Sequence, residues 1–69
     1  MQQWLTPMKP AELTKIRESL KFNQSRLAAE LSVQRSTVSR WESGEVAIPK
    51  VAELAIRYLV LVWRKGKST

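Results

Sequence analysis

An all-α domain of four or five helices is the fold class that the sequence predicts, on three observations. Apolar residues recur at helical spacing in four successive segments. Residues that typically start or stop helices, among them Pro10, Asn23 and Gly44, separate these segments. No segment alternates apolar and polar residues for long enough to predict a strand. A chain of 69 residues suffices for one compact domain.

The first two helices are predicted from their start residues and apolar stripes. Pro10 suits the first turn of helix one, where its missing N–H is not needed. Asn23 suits the N-cap of helix two, expected over about residues 24–31. The apolar stripes are Leu13, Ile16 and Leu20 on helix one, and Leu27, Ala28 and Leu31 on helix two.

Helix three is expected over about residues 35–43, and a fourth helix follows a short loop. Val38 and Trp41 form the inward stripe of helix three, which Gly44 closes in a left-handed conformation. Pro49 opens helix four. Its inward stripe is predicted as Val51, Leu54, Ala55, Tyr58, Leu59 and Val62, and its end as Arg64, Lys65 and Gly66.

The helical segments define one domain over residues 9–63, between an N-terminal arm (1–8) and a C-terminal tail (64–69). Apolar residues in the arm are expected to form a strap over the core, and the alternative is that they bind a partner. These residues are Trp4, Leu5 and Met8.

Charge and composition narrow the function classes. The chain has 12 Lys+Arg against 6 Asp+Glu, a net charge of +6, which favours a polyanionic partner such as nucleic acid. It has no Cys and no His, so we expect no disulfide and no metal site. No other feature of the sequence indicates a cofactor or a small-molecule ligand, and we expect neither. Catalysis is not expected either, since no nucleophile–base pair is apparent.

The same sequence predicts a cytoplasmic protein without membrane contact. The first residues do not form a signal peptide. The apolar stretch 54–63 is too short to span a bilayer and contains Arg57.

The outer face of helix three is the candidate binding surface. With Thr37, Val38 and Trp41 directed inward, helical geometry leaves a contiguous outer face without a carboxylate. That face consists of Arg35, Ser36, Ser39 and Arg40.

Two linked patterns over residues 24–44 carry a family resemblance. They are Gln24-x-x-Leu27-Ala28-x-x-Leu31-x-Val33 and Val38-x-x-Trp41-Glu42-x-Gly44. Together they resemble the helix-turn-helix of the phage repressor and Cro type, the XRE family, over about residues 11–59. The resemblance implies a lambda-repressor-like fold and a sequence-specific DNA-binding regulator, more often a repressor, with helix 35–43 in the major groove. It also implies a bacterial or phage-encoded, nucleoid-associated protein.

The resemblance also implies roles for individual residues. The base-reading positions fall on Arg35, Ser36 and Arg40, and two arginines predict G·C pairs in a palindromic site. Gln24 is expected to bind a phosphate and to brace the first reading residue. The full set of expected phosphate contacts is Gln24, Gln34, Ser39 and Arg26.

The resemblance also implies one ion pair between helices, and the sequence departs from the family pattern at three positions. Arg17 and Glu42 occupy positions that form an ion pair in this family, expected to set the angle of the reading helix. Ser32 stands where the turn usually has Gly, and Gln34 where many relatives have a capping Ser or Thr. Glu45 replaces a basic residue after Gly44 and would oppose phosphate binding.

A homodimer is expected through residues 56–63, because that half of helix four is apolar on nearly every side. The expected interface residues are Ile56, Val60, Leu61 and Trp63.

An alternative function is a protein-interaction adaptor or antitoxin-like module that reuses the fold. RNA binding is disfavoured, since the basic face lacks stacking aromatic residues.

Overall fold

In the computed structural model, which describes the backbone of residues 7–68 and the side chains of residues 7–63, the chain folds into four α-helices. They are α1 (Pro10–Ser19), α2 (Gln24–Leu31), α3 (Arg35–Ser43) and α4 (Lys50–Ser68). No strand occurs in the described range. The predicted all-α class is therefore confirmed. Helix α4 continues to Ser68, two residues past the predicted end at Gly66. The division into a domain and a tail at residue 64 stays a prediction.

The helix ends follow the local chemistry of the sequence. Pro10 is the first residue of α1. The Asn23 side chain accepts a hydrogen bond from the backbone N–H of Arg26 at 2.7 Å, which caps α2. Gly44 ends α3 with φ of 83°, a left-handed conformation in which a glycine has no Cβ to strain. Gln34 precedes α3 without a side-chain cap, as its residue type predicts.

Two non-glycine residues occupy the left-handed region. Ser32, in the turn between α2 and α3, has φ of 59°, and Lys21, in the turn between α1 and α2, has φ of 65°. At each of these positions a non-glycine residue lowers the stability of the fold by roughly 1–2 kcal/mol relative to glycine, because its Cβ strains the left-handed backbone. The turns keep this geometry because the helices on both sides are fixed by the core.

The core lies where α3 packs against α1 and α2, and α4 closes it against α2. Met8, within the predicted arm, is buried in this core, whereas Trp4 and Leu5 lie outside the described residues. Trp41 is buried as predicted. The buried apolar residues are Met8, Leu13, Leu20, Phe22, Leu27, Ala28, Val38, Trp41, Ile48 and Ile56.

The inward face of α4 differs from the predicted one. Ile56, expected at a dimer interface, is 0% exposed and belongs to the core. Val60 and Trp63 also pack against the core, and of the four expected interface residues Leu61 alone is exposed. Five residues of the predicted inward stripe point to solvent instead: Val51, Leu54, Ala55, Tyr58 and Val62. The predicted face was wrong because α4 is apolar on two opposite sides, and periodicity does not decide which one is buried.

A buried carboxylate helps to fix this orientation of α4. Glu53 is 2% exposed, yet it lies on the inward side. Arg57 Nε donates to its Oε2 at 3.1 Å, and Lys50 Nζ lies 3.6 Å from its Oε1. Arg57 Nη2 also reaches Glu12 Oε2 of α1 at 3.2 Å. These cations compensate for the loss of hydration of the Glu53 carboxylate, which would otherwise exclude this face from the core.

In the part of the chain that the structure describes, none of the helices has the length and apolar character needed to cross a membrane. This includes α4, the longest of them.

Candidate functional site

The outer face of α3 presents the predicted reading residues to solvent. Arg35, Ser36 and Arg40 are exposed, and Ser39 is half-buried. Val38, on the opposite side of the helix, is 0% exposed. The core therefore anchors one side of α3 and leaves the other side free for a ligand.

An ion pair joins the end of α3 to α1. Arg17 Nε donates to Glu42 Oε2 at 2.6 Å, and its Nη2 donates to Oε1 at 3.1 Å. Arg17 Nη1 donates to the backbone carbonyl of Phe22 at 3.0 Å, which ties the turn after α1 to the same guanidinium. The bidentate geometry restrains both the distance and the angle between the two helices.

Gln24, the first residue of α2, connects this ion pair to the outer face of α3. Its Nε2 donates to Glu42 Oε1 at 3.1 Å, and its Oε1 accepts from Arg35 Nη1 at 3.2 Å. A carboxylate only accepts hydrogen bonds and a guanidinium only donates them, so one orientation of the amide satisfies both partners. Gln24 therefore transmits the position of Glu42 to Arg35.

The pKa values of the pair reflect this arrangement. Burial of the Glu42 carboxylate acts to raise its pKa, but hydrogen bonds from Arg17 and Gln24 and the charge of Arg17 outweigh burial. The pKa of Glu42 is thus lower than its ordinary value. The hydrogen bond to Glu42 raises the pKa of Arg17, so the pair is fully charged at neutral pH.

These contacts form a chain, Arg17–Glu42–Gln24–Arg35, which we call the bracing chain. It runs from α1 through the end of α3 and the start of α2 to the start of α3. The Arg17–Glu42 pair and the bracing of Arg35 were expected from the sequence, whereas the hydrogen bond between Gln24 and Glu42 was not. That contact depends on how α2 and α3 cross, which residue spacing does not give.

Arg26, expected to contact phosphate, is engaged elsewhere. Its Nε donates to Glu30 Oε2 at 2.9 Å. Its guanidinium carbon lies 4.5 Å from the centre of the Phe22 ring and 5.3 Å from that of Trp63, and the two rings pack edge to face at 5.1 Å. Glu30 lies four residues after Arg26 within α2, a spacing that signals such a contact in a helix. Phe22 precedes α2 and Trp63 lies on α4, so the spacing of residues gives no signal for the two ring contacts.

The remaining predicted site residues lie at the edges of the α3 face. Gln34 is exposed at the start of α3. At the other end, the backbone N–H of the exposed Glu45 donates to the carbonyl of Arg40 at 3.0 Å. Glu45 therefore follows directly on the end of α3, and its expected opposition to phosphate binding stays a prediction.

Comparison with known proteins agrees with this geometry. A family model described as helix-turn-helix matches residues 13–56, which include most of α1, all of α2 and α3, and the first part of α4. No curated protein and no solved structure gives a significant match to the chain. The matched range contains the outer face of α3 and the whole bracing chain.

Proposed function

Because the chain belongs to the Cro/C1-type (XRE) helix-turn-helix family, a family of DNA-binding regulators, we propose that it reads a specific double-stranded DNA sequence with α3 in the major groove. The family is not one of enzymes. The observation that carries the proposal is the outer face of α3, where Arg35 and Arg40 are exposed above a buried core residue and Gln24 holds Arg35 in place.

Arg35, Ser36 and Arg40 are the proposed base-reading residues. An arginine fork contacts O6 and N7 of a guanine together, and each such contact provides about 1–3 kcal/mol of discrimination against other bases. Bracing by Gln24 reduces the side-chain entropy that Arg35 loses on binding. G·C pairs are therefore expected at two positions of each half-site, with weaker preference opposite Ser36.

Gln24, Gln34 and Ser39 are the proposed phosphate contacts. Gln24 stands at the N-terminus of α2, where backbone N–H groups and the helix dipole favour an anion. Gln34 and Ser39 flank the reading residues on α3. We assign Arg26 instead to holding α2 against α4, since Glu30, Phe22 and Trp63 already position its guanidinium.

Two copies are proposed to bind a palindromic site whose half-sites are about 34 Å apart, one turn of DNA. Support comes from the apolar face that α4 exposes on the side opposite to the core. We infer repression as the mode of action, since a dimer bound over a promoter excludes other proteins from the DNA that it covers.

Selection of bound duplexes from a random DNA pool, at a fixed salt concentration, tests this function. We expect a symmetric consensus with G·C pairs. Arg35→Lys and Arg40→Lys keep the charge but lose the fork, so each should flatten the preference at one position and leave the salt dependence of binding unchanged.

The matched control removes two cations away from α3. Lys9→Ala with Lys15→Ala should keep the consensus, since both lysines are exposed outside the reading face. Enrichment of no sequence, or a consensus that survives Arg35→Ala with Arg40→Ala, contradicts the proposal. The second result would favour the adaptor alternative. A reporter gene with the consensus placed over its promoter then tests repression.

A further inference from the structure

The solvent side of α4 carries an apolar stripe with the spacing of a coiled-coil seam. Its members lie at i, i+3, i+4, i+7, i+10 and i+11: Val51, Leu54, Ala55, Tyr58, Leu61 and Val62. Tyr58 is 67% exposed and Val51 is 79% exposed. At 3.6 residues per turn the six positions cover an arc of roughly 120°. We call this surface the α4 outer stripe.

The exposed area of the stripe is large for so small a domain. Five of its members, all but Ala55, are large hydrophobic residues that are 44% or more exposed. A complete Val or Leu side chain accounts for roughly 60–120 Å² and that of Tyr for about 150–250 Å², so the five residues expose on the order of 300–400 Å². The largest apolar patch on a monomer typically measures about 300–600 Å² and is often functional. Two such stripes face to face would bury roughly 600–800 Å², the size of a weak interface that forms at high concentration or on a shared ligand.

We propose that a second copy of this chain docks on the α4 outer stripe, so that two α4 helices pair antiparallel across a two-fold axis. This inference rests on the homodimer of the proposed function and names its surface. The surface differs from the one expected from sequence, because Ile56, Val60 and Trp63 are directed into the core.

One register places the stripe of each copy entirely against that of the other. In an antiparallel pair, heptad positions a and d of one helix face d and a of its partner. Leu54 then lies opposite Tyr58, and Val51 lies opposite Leu61, in both halves of the interface. A two-fold axis requires this self-complementarity, in which each contact occurs twice.

Charge favours the antiparallel arrangement over the parallel one. The sequence of α4 ends with three cations, Arg64, Lys65 and Lys67. A parallel pair would bring the two cationic ends together, where like charges repel. An antiparallel pair separates them and opposes the two helix dipoles.

Sedimentation of the full chain from low-micromolar to near-millimolar concentration, without DNA, is the first test. We expect a concentration-dependent dimer. Tyr58→Lys should raise the dimer dissociation constant by about 30-fold or more, the scale of a buried aromatic anchor. Ala29→Lys introduces the same charge at an exposed position of α2 and should leave the dimer intact. Circular dichroism checks that both variants fold.

Single cysteines test the register, since the natural chain contains none. In the proposed pair, a mixture of Val51→Cys and Leu61→Cys chains forms the mixed disulfide, while either variant alone has its cysteines roughly 15 Å apart along the axis and does not cross-link. A parallel pair would give the opposite result. Lys15→Cys, on the exposed side of α1, is the control that should not cross-link.

The outcomes separate this inference from the proposed function. Arg35→Ala with Arg40→Ala should abolish DNA recognition and leave the dimer unchanged, while Tyr58→Lys should weaken binding to a palindrome much more than binding to one half-site. The inference is wrong if the chain is a monomer at every concentration. Binding of the stripe to anionic vesicles would then identify a membrane surface, and not a second copy, as its partner. Cross-linking of each cysteine variant with itself, or a dimer that Tyr58→Lys does not affect, overturns the inference as well.

Discussion

Arg35 Nη1 donates a hydrogen bond to Gln24 Oε1 at 3.2 Å, which links the first residues of the two helices of the helix-turn-helix. Through the same amide, Gln24 also binds Glu42. Arg35, the proposed reading residue, is therefore positioned in the free protein by contacts that begin at Arg17 on α1. This arrangement makes the orientation of Arg35 depend on residues that need not touch a base.

Gln24→Ala should weaken specific DNA binding by about 2- to 10-fold. Without the hydrogen bond to Gln24 the Arg35 side chain is free to move in the unbound protein, so DNA binding then has to order it at a cost in side-chain entropy. The loss should be concentrated in the preference for the base that Arg35 reads. Fluorescence anisotropy with the consensus duplex and single-base variants measures both effects. Ser25→Ala, at the next and exposed position, is the control. An equal loss for every duplex would indicate that Gln24 contacts phosphate without bracing Arg35.

Glu42→Ala should destabilise the domain by about 3 kcal/mol, because it leaves the largely buried Arg17 guanidinium without its carboxylate. Glu42→Gln keeps acceptor capacity and should lower stability less. The double change Arg17→Met with Glu42→Leu should recover part of the loss, since it removes both charges. Urea unfolding followed by circular dichroism gives the three free energies of unfolding. Equal stability of Glu42→Ala and the natural chain would rule out an energetic role for the pair.

Stability should fall in acid through Glu42 and Glu53. Burial acts to raise the pKa of each carboxyl, but hydrogen bonds and nearby cations outweigh it and hold both pKa values below 4.5, the value of a free glutamate. Their contribution is complete above that value and is lost as the pH falls through the lower folded pKa. The melting temperature should therefore change little between about pH 6 and 8 and drop below about pH 4.5. Glu53→Gln and Glu42→Gln should each reduce the acid-dependent part of the drop, and an unchanged acid limb in both would refute the assignment.

Ser32→Gly should stabilise the domain by about 0.5–1 kcal/mol. It removes the strain of a left-handed non-glycine residue, and the greater entropy that glycine loses on folding offsets part of this gain. For a domain of this size the net stabilisation raises the melting temperature by about 2–8 °C. Lys21→Gly, at the other left-handed residue, should give a similar rise. DNA affinity should not change in the Ser32 variant, since α2 and α3 keep their crossing. A fall in melting temperature for both would show that these turns are not strained.

Arg26→Ala should lower the melting temperature without changing the salt dependence of DNA binding. The guanidinium stacks on Phe22 and Trp63, contacts worth about 0.5–2 kcal/mol between a cation and a ring. Each phosphate contact, by contrast, contributes about 0.9 to the slope of log affinity against log salt. A slope reduced by that amount in Arg26→Ala would restore the phosphate role expected from sequence. Arg26→Lys separates charge from stacking in the same measurements.

Much of the fold was predictable because local chemistry decides it. Asn23 and Gly44 fix helix ends through their own side chain or lack of one, and α2 and α3 have the predicted bounds. The exposure of Arg35 and Arg40 likewise follows from the position of Val38 and the helical period. These features depend on residues within one or two turns of each other.

The face that α4 buries was not predictable in the same way. Both sides of the helix are apolar, and the side that enters the core contains Glu53. Its burial depends on Lys50 and Arg57, and Arg57 in turn reaches Glu12, 45 residues away in the chain. A carboxylate argues against burial until its partners are known, so the sequence favoured the other side.

The sequence by itself determined the helices, the fold class, the positive charge and the residues on the outer face of α3. Only the tertiary structure decided which side of α4 remains exposed, that Gln24 joins Glu42 to Arg35, and that Arg26 lies over two rings. The physical reason is the distance along the chain over which each interaction acts. Helix caps and apolar periodicity depend on neighbouring residues, whereas these contacts join residues of different helices and form only once the core sets the distances between them.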